Sequence, residues 1–584
     1  MSDVVHIPLI GGFVSERERR RVGDCAFAKN VTYSRVAVDG RRGTRTAIVG
    51  SASGGFKADG PVVGINKYRS RTGSEYRVFA GYNMAGGSTS LRGLYVAVYA
   101  GFNVVAFAGF QANPATPYMI EPWGVSMVPF GDSLYVCGEA LGKLIRCRFQ
   151  RSGVTVAEAT LQDRTLLPFS VADDPGPWLG RLYRCLAMEA FQNRMFFAGS
   201  RDEPDKVFWS NIGDALAVSA QNYIPIQHGG KVSGLATAGD YLMILKERST
   251  HFARGGFTSS QDTSVEVLDS NIGALGQRCI AKMPGGRVAF MSHEGVCIAS
   301  VGEGVRVISG DISGWLRGML RDYGGASLEK LVPTAESLRD APMAYSAKRN
   351  ELYVALSSGA SLAATSNPTR ADMRDFWLVG NLDGERVRWN IWSGGPAATP
   401  VFSTHSIYCG VDSDGNDETL YGTHNGRIHQ ANLGGTDTDS GGTDRTIASL
   451  VVPRFIGDTD EGGKAVTGRS QIRALEATFV ERFNSTATSG ALQCVYAAGS
   501  PDGSFAGSPR TTGVHGRNGM PYFGASGTAL PITMKTLGLS RRVMGLRAVA
   551  QAGNEYVALQ GSNGPLPMVQ SVTAYIDRIQ RLAA

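Results

Sequence analysis

Short apolar strands separated by tight glycine turns recur along most of this sequence, and that pattern leaves few folds open. Residues 286–309 carry it most clearly. There RVAFM at 287–291 reads as a strand, His293-Glu294-Gly295 as a turn, VCIA at 296–299 as a strand, Gly302-Glu303-Gly304 as a turn, and VRVI at 305–308 as a third strand. Three strands joined this way make an antiparallel meander. The unit returns where FWLV at 376–379 runs through Asp383-Gly384 into VRWNIW at 387–392. It returns again where SIYC at 406–409 leads to TLY at 419–421, a turn at His424-Asn425-Gly426, and RIH at 427–429. Stretches at 133–137, 195–198, 207–210 and 241–245 agree, and YLMIL at 241–245 is apolar throughout, as a strand covered on both faces requires.

Meanders of about 40–50 residues that follow one another without helices favour radial repetition, because each small sheet must bury its faces against neighbours. An all-β chain is therefore expected, with residues 61–434 forming a β-propeller. A β-sandwich assembly is the competing architecture and would give the same strand and turn signals. The repeats are too degenerate to count blades. One helix is expected, capped by Asp311, with Ile312, Trp315, Leu316, Met319 and Leu320 on the face packed against a sheet edge. The polar, glycine-rich GGTDTDSGG at 434–442 marks a boundary. Beyond it, strands expected around 474–480, 493–496, 541–551 and 556–560 give a C-terminal β-rich platform or sandwich domain over 435–584. The N-terminal segment 1–60 is expected to pack with it, since chain ends tend to lie close together.

Composition narrows the function classes. At 584 residues a core of ordinary size is available, and 75 glycines with only 19% charged residues suit many short strands and turns. The net charge of +7 comes from 58 basic and 51 acidic residues mixed along the chain, a mild excess. Its only dense basic run is Arg17, Arg19, Arg20 and Arg21, broken by Glu18, which reads as a solvated or subunit-contact segment before a nucleic-acid patch. Eight cysteines (Cys25, Cys137, Cys147, Cys185, Cys279, Cys297, Cys409, Cys494) are scattered singly with no C-x-x-C pair, so no disulfide framework is expected. The first residues lack the charged-then-apolar pattern of a secretory signal, and no run of about 18 apolar residues exists to span a membrane. Assembly in a reducing cytoplasm is the expectation.

A search for chemistry leaves little. His293-Glu294 begins like H-E-x-x-H, but position 297 is Cys and the pair sits in a tight turn, whereas that zinc motif needs two histidines one helical turn apart. Residues 457–464 faintly suggest a phosphate loop, yet the glycine spacing is wrong and Ala465 stands where Ser or Thr would hold magnesium. No G-x-S-x-G elbow occurs, and no histidine has an evident serine or cysteine partner. Asp412-Ser413-Asp414-Gly415-Asn416-Asp417 resembles the start of a calcium loop, but Thr423 replaces the bidentate Glu, which favours a plain polar turn. Trp209, Trp377, Trp389 and Trp392 could stack on sugar, although aromatic residues in propeller strands more often wedge between blades. No catalytic, cofactor-binding or metal-binding residue is therefore assigned, and no enzyme activity is expected.

Several stretches together carry a resemblance. KVFWSNIGD at 206–214 is followed by NYI at 222–224, KVSGL at 231–235 and GDYLMILKE at 239–247, then by the hairpin 286–296, a G-x-V-x-F-x-S-x-x-G-V series. LYGTHNGRIHQ at 420–430 leads into the loop 434–442, and near the start DCAFAKN at 24–30 precedes RRGTR at 41–45. In this order the segments resemble the tail nozzle or hub proteins of short-tailed bacteriophages. The resemblance implies a structural virion protein, one subunit of a homo-hexameric ring that extends the portal and adaptor channel. It further implies a conduit through which genomic DNA passes without specific binding, an outer surface that docks tail fibres or spikes, no membrane insertion, and a place in the virion tail. A lumen with few Lys and Arg is expected, because each phosphate contact would add salt-dependent grip. Two alternatives stand beside it: a host-surface propeller that binds or depolymerises carbohydrate, for which the S-x-D-x-G-x-x-W repeats are absent, and a bacterial propeller scaffold unrelated to phage.

Overall fold

A computed structural model of the chain describes residues 2–8, 11–14, 24–33, 38–48, 60–84, 91–101, 103–111, 124–138, 142–163, 182–183, 185–318, 331–358, 374–384, 386–394, 400–433, 436–439 and 442–447. It also describes the strands at 449–453, 469–480, 492–499, 510–514, 533–537, 540–544, 554–561 and 569–579. The chain is all-β and builds a seven-bladed propeller. Each blade is an antiparallel meander whose first strand faces the axis. Blade one runs Val62–Arg69, Glu75–Met84, Leu91–Ala100 and Asn103–Gln111. Blade two runs Ser126–Phe130, Ser133–Cys137, Leu144–Gln150 and Gly153–Ala159. Blade three comprises Ala187–Phe191, Arg194–Ala198, Lys206–Ser210 and Ala217–Pro225, with Gln162–Asp163 added parallel to its outer strand. Blade four is Val232–Ala238, Tyr241–Lys246, Thr250–Gly255 and Thr263–Asp269.

Blade five is Ile280–Met283, Arg287–Ser292, Gly295–Ser300 and Gly304–Val307, so the meander read from 286–309 supplies its second to fourth strands. Gly304 takes φ +78° in the last turn, a conformation that costs glycine nothing. Blade six is Met343–Ser346, Glu351–Leu356, Phe376–Asn381 and Arg388–Ser393. Blade seven has Thr404–Val411, Asp417–Thr423 and Ile428–Ala431, and its fourth strand is Thr44–Ile48, from before blade one. That strand lies on the N-terminal side of the boundary expected at 61, yet it completes the propeller.

Joining the two ends of the ring within one sheet prevents the propeller from opening without breaking a ladder of backbone hydrogen bonds. The first strands pack in succession right round the axis, with blade seven against blade one. Ser406 Oγ donates to Val62 O at 2.7 Å across that seam, and Arg77 Nε of blade one donates to Glu418 Oε1 of blade seven at 2.8 Å. Large apolar side chains also fill the spaces between blades. Tyr68 stacks on Phe149 between blades one and two, Trp209 lies among Phe196 and Phe257 between three and four, and Tyr353, Trp377, Trp392, Phe402 and Tyr421 fill the space between six and seven.

The expected helix needs correction. Residues Gly310–Ile312 form a single 3-10 turn and Ser313–Leu316 one α turn, which stops at Gly318 with φ +74°. Asp311 is the N-cap residue of neither turn. Its carboxylate instead accepts from Arg386 Nε at 3.0 Å. Ile312, Trp315 and Leu316 are buried, and Trp315 packs edge-on to Phe13 and Phe376. Met319 and Leu320 lie outside the described residues.

After blade seven, Thr436–Thr438 and Asp444–Thr446 extend that blade's sheet beyond Thr44–Ile48. Cys25–Lys29 adds to the outer strand of blade six and continues through Ser449–Pro453, Asn554–Gly561, Leu492–Gly499 and Arg510–Val514, giving a nine-stranded sheet. A second sheet joins Ser2–Pro8, Val31–Tyr33 and Val38–Gly40 to Val569–Ile579, Arg469–Val480, Ser540–Met544 and Thr533–Leu537. Among the described residues no helix is long and apolar enough to cross a membrane.

The closing seam also makes the fold sensitive to acid. His429 pairs with Thr46 in the ladder to Thr44–Ile48, is fully buried, stacks on Tyr421, and makes no hydrogen bond through either ring nitrogen. Burial pushes its pKa down to about 3, with the Arg427 guanidinium acting in the same direction and Asp439 opposing. The unfolded chain, with an imidazole pKa of about 6.5, therefore takes up the proton first. The seam keeps its stability above about pH 6.5 and loses it as pH falls towards 3, a loss of roughly 2–3 kcal/mol by about pH 4.5. His429→Gln should remove that part of the slope when denaturant midpoints are compared at pH 7 and 4.5; equal slopes for both proteins would refute it.

Candidate functional site

Propellers present side chains where the first strands of all blades meet, so the axis is the place to look. Here one guanidinium gathers several blades. Arg278 lies in the Gln277–Cys279 turn that opens blade five; its Nη1 donates to Asp340 Oδ2 at 2.6 Å before blade six, and its Nη2 donates to His405 O in blade seven. The same side chain packs against Gly124 at the start of blade two, where an added Cβ would lie 1.9 Å from Arg278 Cδ. Contacts to blades two, five, six and seven from one residue put Arg278 across the axis. Neighbouring Gln277 clasps the main chain of Leu235 in blade four through both ends of its amide.

The electrostatics suit a tie. Burial raises the Asp340 carboxyl above its usual range, while Arg278 and Arg374 oppose that shift. His405 is pushed well below the ordinary imidazole range by burial, with Arg278, Arg374 and His424 reinforcing it, so it stays neutral beside the two guanidiniums. Gly124→Ala should displace Arg278 and cost about 1–3 kcal/mol, the usual penalty for overpacking. A guanidinium denaturation curve coincident with wild type would show that the axis yields freely.

A second inner cluster spans three blades. Glu189 Oε1 accepts from Thr237 Oγ1 at 2.7 Å and from Lys282 Nζ at 2.5 Å, linking the first strands of blades three, four and five. Glu189 is buried while Lys282 is about half exposed. One carboxylate with one ammonium partner is a cross-link of adjacent blades.

The structure also pairs a serine with a histidine, which the sequence reading had not found. Ser249 Oγ and His251 Nε2 are 2.8 Å apart. Both are buried beneath the turn at 228–230, where a Cβ on Gly229 would lie 1.9 Å from Ser249 Oγ. Burial lowers the His251 pKa, helped by Lys246 and His228. A nucleophile needs exposure at a pocket mouth, and this hydroxyl has none. With Ser249 just before the strand Thr250–Gly255 and His251 within it, the pair forms no motif in the sequence.

The positions singled out from sequence are dispersed. His293 and Glu294 occupy the turn between the second and third strands of blade five, where Glu294 faces Arg317 at 3.4 Å. In the 412–417 turn the Asp412 carboxylate accepts from the Asp414 and Asn416 amides at 2.9 and 2.7 Å, an Asx-type turn that uses its oxygens internally. All four tryptophans are fully buried, so they form no sugar platform. Cys25, Cys137, Cys147, Cys185, Cys279, Cys297 and Cys409 are free thiols, and burial pushes Cys147 up to about 12 and Cys297 to about 11, which keeps them protonated and inert. Arg17, Arg19, Arg20, Arg21 and residues 457–464 lie outside the described residues, as do the side-chain surroundings of Cys494.

The segments that carry the family resemblance build joints. In the 206–214 stretch Trp209 enters the core, Ser210 Oγ accepts from the Met195 amide at 2.9 Å, and Asn211 accepts from Asn222 at 3.2 Å. Lys246 is buried and donates to Ile226 O, tying blade four to the link from blade three. Arg41 forms a two-pronged ion pair with Asp437, with 2.7 Å between Nη1 and Oδ1, while its Nε donates to Asn30 Oδ1 at 3.0 Å. No protein-family model matches the sequence, and no curated protein matches it significantly.

Among solved structures, the chain is similar to BBS1N in complex with ARL6DN, with a TM-score of 0.35 and 11% identity over 67% of this chain and 97% of that one. It is similar to the beta-propeller domain of Cps50 (Swd1) from Myceliophteria thermophila, with a TM-score of 0.30 and 11% identity over 50% of this chain and 81% of that one. It is also similar to the hydrazine synthase of Kuenenia stuttgartiensis, with a TM-score of 0.34 and 12% identity over 64% and 96% of the two chains. At that level of similarity none of them carries an argument about what this chain does.

Proposed function

We propose that this chain is a structural subunit of a bacteriophage tail nozzle, a non-enzymatic propeller assembled as a homo-hexameric ring below the portal and adaptor. The observation that carries the proposal is the role of the residues on which the resemblance rests. Trp209, Ser210, Asn222, Lys246, Arg41 and Asn30 all serve as packing or hydrogen-bonded joints between strands and blades. A sequence signature spent on joints suits a wall that must keep its shape under load, whereas a catalyst would spend it on reacting groups.

With Arg278 across the propeller's own axis, the conduit for DNA runs between copies, and each propeller forms a solid pillar of the wall. Tail fibres or spikes would dock on the outer surface. Electron microscopy of the purified full-length chain, alone and mixed with the portal and adaptor of its own particle, tests this reading. Six-copy rings that stack on the adaptor are the expected result. A chain that stays monomeric in both preparations, or cleaves a glycan, would overturn it.

A further inference from the structure

We propose that Thr44–Ile48, the strand that closes the propeller, is a latch: hinged at Thr44, it lifts off blade seven from its Ile48 end and opens the seam between blades seven and one, while the segment before it stays fixed. Residues 25–48 supply strands to three sheets. Cys25–Lys29 joins the sheet of blade six, Val31–Tyr33 and Val38–Gly40 join the second sheet beyond the propeller, and Thr44–Ile48 joins blade seven. These attachments differ in strength.

Up to Thr44 the hold is dense. The Asn30 amide donates to Ile391 O at 2.6 Å, and Asn30 Oδ1 accepts from the Ser393 amide at 2.8 Å and from Arg41 Nε at 3.0 Å. Tyr33 Oη donates to Trp389 O at 3.2 Å, and Trp392 Nε1 donates to Val31 O at 2.9 Å. Arg41 is then fixed by Asp437, and the next two residues are pinned by the same outgoing segment. Gly43 O accepts from the Leu433 amide at 2.9 Å, and Thr44 Oγ1 accepts from the Thr438 amide at 3.2 Å. Thr436 lies so close that a Cβ on Gly43 would stand 1.8 Å from its carbonyl oxygen. Thr44 is thus the last residue held from both sides.

Beyond it the hold weakens. The ladder to Ile428–Ala431 has four residue pairs and is split by a bulge: Ile428 pairs with Ile48 and His429 with Thr46, which leaves Ala47 opposite no residue. A bulge of this kind interrupts the run of ladder hydrogen bonds. At the same place three buried polar atoms, Thr46 Oγ1 and both ring nitrogens of His429, find no hydrogen bond among the described residues. Each regains water when the strand lifts, so all three favour the open form. What keeps the latch shut is the apolar contact of Ile428 and Ala47 with Val62 and Leu420 at the seam to blade one. In the other six blades the outer strand follows its neighbour through a short loop, whereas this one is joined to Ile428–Ala431 only through the rest of the propeller. The latch lies within a single chain and needs no partner, so it stands apart from the nozzle reading.

Native-state amide exchange of the full chain at pH 7, repeated over a series of low guanidinium concentrations, tests this. Amides at 46–48 and 428–430 should exchange at least about tenfold faster than those at 25–33, with almost no dependence on denaturant, because a local opening exposes little surface. Thr46→Val and His429→Leu, made separately, each remove unsatisfied atoms without shortening the ladder. Each should slow exchange at 46–48 by about tenfold and leave 25–33 unchanged. Exchange at 46–48 with the same denaturant dependence as blades two to five would mean that the strand leaves only on global unfolding, and the latch would be refuted. Exchange of 25–33 together with 46–48 would show the whole segment detaching, which removes the hinge at Thr44. Unchanged exchange in both variants would equally sink the proposal, since the unsatisfied atoms would then not drive the opening.

Discussion

Asp437→Ala should lower stability by about 3–5 kcal/mol, because it strands a buried guanidinium without its counter-charge. Arg41 and Asp437 are each about 1% exposed, on segments 396 residues apart that meet where the chain enters and leaves the propeller. Arg41 lies over the Phe402 ring at 4.9 Å and the Trp392 ring at 5.6 Å, so the pair is enclosed by the aromatic cluster between blades six and seven. Removing the carboxylate leaves Asn30 Oδ1 and Arg42 O as acceptors, which satisfy hydrogen-bonding capacity but not charge. The damage should be local. Amide exchange should rise at Thr44–Ile48 and Ile428–Ala431, the two strands of the closing ladder, before it rises in blades two to five. Arg41→Lys should recover little, since an ammonium cannot reproduce the two-pronged contact. Arg41→Met combined with Asp437→Leu should recover most of the loss, because an apolar pair of similar volume removes both desolvation costs. A single Asp437→Ala variant with an unchanged guanidinium midpoint would show that the pair contributes no closure.

How much of this was legible beforehand depends on the range of the forces involved. Strands 287–291, 296–299 and 305–308 were readable because turn chemistry and apolar runs are local properties of the sequence. The first strand of blade five, Ile280–Met283, was missed, since four residues with Lys282 among them give no alternation to detect. Blade number was out of reach for the same reason: Thr44–Ile48 joins blade seven through partners almost four hundred residues away. Asp311 was misread because a cap signature followed by apolar residues spaced for a helix looks the same whether or not the carboxylate finds a distant arginine. The axial cluster was equally invisible. Gly124, Arg278, Asp340 and His405 share no spacing, and only ring closure brings them together. The burial of Trp209, Trp377, Trp389 and Trp392, by contrast, agrees with the reading favoured over a sugar platform, since large rings in propeller strands more often pack inside than face solvent.

Trp377→Ala should cost about 3–5 kcal/mol, the usual range for emptying a buried indole site. Trp377 is fully buried in blade six, stacked at 6.2 Å with Trp392 and in contact with Phe402 at 4.8 Å and Tyr421 at 5.1 Å. Those rings come from blades six and seven and from the link between them, so one truncation loosens the whole seam beside the closing strand. Trp377→Phe separates packing from hydrogen bonding, because Trp377 Nε1 donates to Thr404 Oγ1 at 2.8 Å and phenylalanine would leave that hydroxyl without its donor. Trp209 gives the comparison: it is just as buried, between blades three and four, but its Nε1 has no acceptor. Trp209→Phe removes an unsatisfied donor along with some volume, so its cost should be smaller than that of Trp377→Phe by about 1 kcal/mol. Guanidinium unfolding followed by near-ultraviolet circular dichroism reads both. If Trp377→Ala unfolds at the wild-type midpoint, the seams between blades are not what holds the ring, and stability must reside within the individual sheets.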